Sequence, residues 1–125
     1  MKKFRIAALM MCFVAVSMVF ASCAKNEDLI VGKWKCTKIV DGDRTTTYGD
    51  SEGYIYEYLA DNTVKMYMVG LEAYGVTGTY SIDGDVLTIS IASQPQKSNI
   101  DKLTKSKMIL SNPDNPSEIA EFDKM

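Results

Sequence analysis

The chain of 125 residues is one domain by length, and large enough for a modest hydrophobic core. Its formal charge is −2 and it has no basic patch, so nucleic acid, bound chiefly through phosphate neutralisation, is excluded as a partner. Histidine is absent, which removes the Ser-His-Asp triad, the Cys-His pair and the common His-based zinc sites.

The N-terminus carries Lys2, Lys3 and Arg5 and is followed by nineteen uncharged residues, 6–24. A membrane-spanning helix needs roughly 20 apolar residues, and such a helix is the competing reading. A basic head, a dense apolar run and small residues before a cut instead describe a secretion signal. Here the apolar run ends in Ala21-Ser22-Cys23, and Lys25-Asn26-Glu27-Asp28 restores polarity at once. Phe20-Ala21-Ser22-Cys23 resembles a bacterial lipobox, in which a large apolar residue and two small ones precede the lipidated cysteine. Residues 1–22 are therefore expected to be a lipoprotein signal peptide, Cys23 the lipid acceptor, and 23–29 a polar tether to a domain over 30–125. Lipid attachment through Cys23 implies a cell-envelope protein at the outer membrane, facing either the periplasm or the cell surface. All sixteen acids follow residue 22 and three of the fourteen bases precede it, so the domain carries five more acids than bases. With Cys12 in the signal and Cys23 lipidated, Cys36 has no partner for an intramolecular disulfide. It reads as a small buried apolar residue.

Past the tether the pattern is short β-rich runs between turn signals. Residues 31–40 hold Trp34, Cys36 and Lys38 on one face, and Asp41-Gly42 ends the run. Residues 43–52 are polar and fit either an extra strand or a loop across one end of a barrel. Residues 53–60 alternate, with Tyr54, Tyr56 and Tyr58 on one face and Ile55, Glu57 and Leu59 on the other. Asp61-Asn62 turns the chain into residues 63–69, where Val64, Met66 and Met68 share a face opposite Lys65. Residues 76–82 and 86–92 are joined by Asp83-Gly84, a strong hairpin signal. Residues 93–98, with Pro95, read as a loop; 99–103, 107–110 and 118–122 read as weaker strands. No long helical periodicity appears after residue 24. About eight sequential strands predict an all-β, antiparallel up-and-down barrel, because closure removes the exposed edges of a meander.

Several motifs carry a family resemblance. Ile30-Val31-Gly32-Lys33-Trp34-Lys35 resembles the Gly-x-Trp opening of lipocalins. Tyr58-Leu59-Ala60-Asp61-Asn62-Thr63, Gly78-Thr79-Tyr80 with Leu87-Thr88-Ile89, and Ile100-Asp101-Lys102-Leu103-Thr104 follow in the order found in small lipocalin-like domains of Bacteroidetes lipoproteins. The resemblance covers nearly all of residues 30–122. It implies a lipocalin-like barrel, and lipocalins hold small apolar or amphipathic ligands inside theirs.

If Trp34 plugs the barrel base, alternation turns Tyr54, Tyr56, Met66, Met68 and Val76 inward. These five are the candidate ligand-binding residues, with a small cavity expected at the open end between Tyr54, Met68 and Val76. Asp41-Gly42-Asp43 and Asp83-Gly84-Asp85 lack the spacing and closing Glu of a calcium loop and read as hairpin turns. No metal, cofactor or catalytic residue is expected, since the strand faces supply no paired carboxylates in a polar cleft. Two functions remain: a lipid-anchored binder of a small hydrophobic or aromatic ligand, or a filled barrel that binds a protein or glycan through its loops.

Overall fold

The computed structural model describes residues 25–125; the expected signal peptide and Cys23 lie outside the described residues. A helical turn α1 (Asn26–Leu29) leads into strands β1 (Gly32–Asp41), β2 (Arg44–Thr47), β3 (Tyr54–Tyr58) and β4 (Thr63–Met68). After a short 3-10 turn at Glu72–Tyr74 come β5 (Val76–Asp83), β6 (Val86–Ile91), β7 (Gln94–Leu103), β8 (Lys107–Asn112) and β9 (Asn115–Lys124). Every strand pairing is antiparallel, and β1 pairs with β9, which closes an eight-stranded barrel. β2 is an addition to that ring. The lower half of β1 pairs with β3 through Gly32 to Lys35, and the upper half pairs with β2 through Lys38 to Asp41. The 43–52 segment is thus an edge strand followed by a loop.

Local chemistry explains three of the hairpins. Asn62 adopts φ 70° in the β3–β4 turn, and the Asp61 carboxylate accepts the Thr63 N–H at 3.0 Å. Gly84 has φ 64° between the paired Asp83 and Val86. The β6–β7 turn differs from expectation. Ala92 and Ser93 take φ 54° and 64°, so Gln94 is already a strand residue paired with Ile91. Two consecutive left-handed residues make a type I′ turn, the geometry that suits strand twist, here without glycine. Pro95 fits within β7 because alternate residues, Ile100 among them, donate N–H groups toward β6. The nitrogen of Pro95 points the other way, along an edge that β8 reaches only at Asn99.

Two register irregularities shape the interior. Between Cys36 and Lys38 the β1–β9 ladder shifts by one residue, leaving Thr37 as a bulge. Trp34 and Cys36 point inward, but beyond the bulge it is Ile39 that packs on the core, while Lys38 turns out to Glu121 at 3.6 Å. The expectation that Lys38 shares a face with Trp34 and Cys36 is corrected here: one extra residue reverses the side of every residue after it. A second shift, between Ile100 and Lys102, lets both Ile100 and Leu103 face the core.

The base of the barrel is closed. Ile30 and Trp34 are completely buried, and the indole Nε1 donates to the Ile30 carbonyl at 2.8 Å. Above them Tyr58, Val64, Tyr80, Leu87 and Met108 fill the lower interior. Within the segment read as a tether, α1 is tied to the same end, since Asn26 Nδ2 donates to the Gly84 carbonyl at 3.0 Å.

Candidate functional site

The wall of the upper interior has an apolar part and a polar part. The apolar part is the larger. Tyr56 and Met66 form one side, Leu110, Ala120 and Phe122 the other, and Ile39, Ile89 and Ile91 complete the wall. Tyr56 and Phe122 meet edge to face with ring centroids 5.4 Å apart, which fixes the floor. The polar part is the inner face of β7, where Ser98, Gln96 and Gln94 lie level with Leu87, Ile89 and Ile91 of β6, together with Asn112 on β8, Glu118 on β9 and Asp41 on β1 at the rim. Together they enclose a cavity of about 380 Å³ that opens at the end opposite α1. It also opens toward the seam between β7 and β8, where β7 runs on to Gln94 after β8 has ended at Asn112.

The tyrosines differ in depth. Tyr56 and Tyr58 stack with centroids 6.3 Å apart, and Tyr58 meets Tyr80 edge to face at 5.1 Å. Burial, and then the neighbouring Cys36 and Tyr54, push the Tyr56 phenol above its usual range. Burial, followed by the adjoining Tyr56 and Tyr80 phenols, pushes Tyr58 much further, and its hydroxyl has no hydrogen-bond partner. Tyr80 is satisfied, donating to the Leu59 carbonyl at 2.7 Å. The Cys36 thiol is also raised by burial, which suits an inert packing role.

Of the five residues expected to bind ligand, Tyr56 and Met66 line the cavity. Tyr54, Met68 and Val76 do not; they are 42%, 48% and 48% exposed on the β3–β4–β5 rim. The cavity expected between those three lies instead against β6 to β9 and the upper half of β1. The reason is length: strict alternation points Tyr54 and Met68 inward, but they occupy the last paired rung of β3 and β4 and project past the wall. Leu71 and Tyr74 extend the same exposed rim. Trp34 lies at the base as expected, remote from the cavity. The polar part of the wall is not evident from the sequence. Gln94, Gln96 and Ser98 alternate as a strand does, a signal obscured by Pro95, and Asp41 and Glu118 come together only through the long-range β1–β9 ladder. No group of three or more potential metal ligands occurs among the described residues.

A family model described as a lipocalin-like domain matches residues 30–110. Solved structures with the same fold include a lipocalin-like protein from Bacteroides uniformis ATCC 8492, with a TM-score of 0.64 at 15% identity, over 78% of this chain and 99% of that one. An uncharacterized protein from Bacteroides eggerthii DSM 20697 has a TM-score of 0.63 at 16% identity, over 77% and 99% of the two chains. An NMR structure of a protein from Bacteroides uniformis ATCC 8492 has a TM-score of 0.54 at 23% identity, over 79% and 91%. No curated protein matches the chain.

Proposed function

The chain belongs to the lipocalin-like domain family, and from that premise we propose that it is a non-catalytic binding protein whose barrel holds a small amphipathic ligand. The observation that carries the reading is the cavity of about 380 Å³, walled mainly by apolar side chains with polar groups along β7 and at the β1–β9 rim. Small-molecule sites are mostly apolar hollows of roughly 300–1,000 Å³ with a few convergent polar groups, and this one is at the small end of that range. The proposal includes the lipid anchor at Cys23 and hence a place in the cell envelope, on the strength of the lipobox-like Phe20-Ala21-Ser22-Cys23. Since α1 packs at the barrel base, an anchor joined just before it would leave the cavity mouth facing away from the membrane. Mass spectrometry of small molecules that co-purify with the protein tests the binding role. A stoichiometric compound lost on substitution of Ala120 by Phe supports it; an empty protein that also binds no apolar probe in calorimetry defeats it.

A second reading is favoured by the exposed rim of Tyr54, Met68, Leu71, Tyr74 and Val76. Contiguous exposed apolar side chains mark interaction surfaces, and a protein or glycan partner engaging this rim would make the barrel an interaction module. Loss of partner capture on Tyr74→Ser, with the cavity intact, would distinguish that role.

A further inference from the structure

We propose that the cavity selects a ligand with one positively charged head, an amine joined to an apolar body. The ammonium would sit between Asp41 and Glu118 and the body would rest on Tyr56, Met66 and Phe122. This deepens the ligand-binding reading above and rests on it.

Asp41 and Glu118 are direct partners on the antiparallel β1–β9 ladder, and both border the cavity. Side chains directly opposite on such a ladder lie within about 5 Å at Cβ, and like charges there repel. The two carboxylates are thus held beside each other by the sheet, at the rung where the wall changes from apolar to polar. Neither has an ion pair among the described residues, where the two salt bridges are Lys38–Glu121 and Lys107–Asp123. Glu118 accepts a hydrogen bond from the neutral amide of Asn112 at 3.2 Å, which orients it without cancelling its charge.

The remaining charges near the mouth leave this imbalance in place. Arg44 is the partner of Asp41 on the other ladder, so the rung reads Arg44, Asp41, Glu118 and carries one excess negative charge. Lys97 borders the seam, but it lies between Gln96 and Ser98, whose side chains face in; alternation places its ammonium on the outer face. Gln94 and Gln96 are neutral and can both donate and accept. An anionic head would meet an uncompensated carboxylate, and a neutral head would leave the repulsion unrelieved. An ammonium relieves it with charge-assisted hydrogen bonds.

Calorimetry on the purified protein with 4-phenylbutylamine, 4-phenylbutanol and 4-phenylbutyrate tests the proposal, because the three share one apolar body. The amine should bind about tenfold more tightly than the alcohol and more tightly still than the acid, an advantage at the scale of a hydrogen bond to a charged group. Raising the salt concentration should shrink that advantage. Glu118→Gln, which keeps an acceptor for Asn112, and Asp41→Asn should each bring the amine to within about threefold of the alcohol, with alcohol binding unchanged. If the alcohol or the acid binds as tightly as the amine, the charge selection is wrong while the cavity reading stands. If none of the three binds, both fail.

Discussion

Lys124 lies across the indole of Trp34, its Nζ 4.7 Å from the ring centroid, and it reaches that position over the bare α-carbon of Gly32. The ammonium also approaches the Leu29 carbonyl at 3.5 Å, so one side chain from the last strand ties the first strand and α1 together. Gly-x-Trp is thus a packing device: the glycine makes room for the cation that covers the tryptophan.

Trp34→Ala should cost about 3–5 kcal/mol in urea unfolding, since it empties the centre of the base. Trp34→Phe keeps the apolar surface but leaves the buried Ile30 carbonyl without its donor. It should cost about 1–3 kcal/mol. A Trp34→Ala variant as stable as wild type would show that the base is not the keystone described.

Gly32→Ala should be destabilising by more than about 1 kcal/mol, an unusual result for so small a change. Gly32 has φ 132°, outside the range of L side chains, and an added Cβ would lie 2.5 Å from Lys124 Cε. Shortening the obstruction with Lys124→Ala should recover part of the loss but not the backbone share, which a double-mutant cycle can read.

Tyr58→Phe should be neutral or stabilising by up to about 1 kcal/mol, because it removes a buried hydroxyl with no partner. The same phenol makes a prediction about pH. Its folded value is raised well above the ordinary 10, mainly by burial, so the unfolded chain releases this proton first as pH climbs. Stability is then complete below pH of about 10 and falls as pH rises toward the folded value. Tyr58→Phe should flatten that alkaline decline in melts taken across pH 9 to roughly 12.

Ala120→Phe should fill the cavity and abolish probe binding, at a stability change of about 1–3 kcal/mol at most. Tyr54→Ala and Met68→Ala, both on the exposed rim, should leave calorimetric binding of the same probes within about twofold. The reverse pattern would move the site to the rim.

Radiolabelled palmitate should enter the wild-type protein and not Cys23→Ser. Lipid attachment through more than one chain, at roughly 0.8 kcal/mol per buried methylene, makes membrane association stable. Equal labelling of both proteins, or an uncleaved precursor as the mature form, would rule the anchor out.

Much of this molecule is legible in its sequence. Alternation puts Tyr56 on a face with Tyr58 and Met66 on a face with Val64, and all four are interior, whereas Tyr54 and Met68 at the ends of the same faces are exposed on the rim. The hairpins at Asp61-Asn62 and Asp83-Gly84 announce themselves by residue type, as does the lipocalin-like barrel through motifs spread along the chain. The cavity is harder to read for three physical reasons. Bulges at Thr37 and after Ile100 reverse inside and outside without any compositional mark. The Ala92-Ser93 turn adopts left-handed conformations that neither residue advertises, so the start of β7 has the composition of a loop. The neighbours of Asp41 are decided by a pairing with the far end of the chain, which no local window contains.

That last pairing also governs how the molecule forms. β1 emerges first and β9 last, yet each is the other's wall partner, and Phe122 and Lys124 complete the core and the base. Contacts of such long sequence separation slow folding, because the closing loop must be ordered before its contacts form. The earlier strands can form hairpins as they are made, but the ring cannot close on a nascent chain. Folding waits for β9, and a chain truncated before Asn115 would have a cavity without one of its sides.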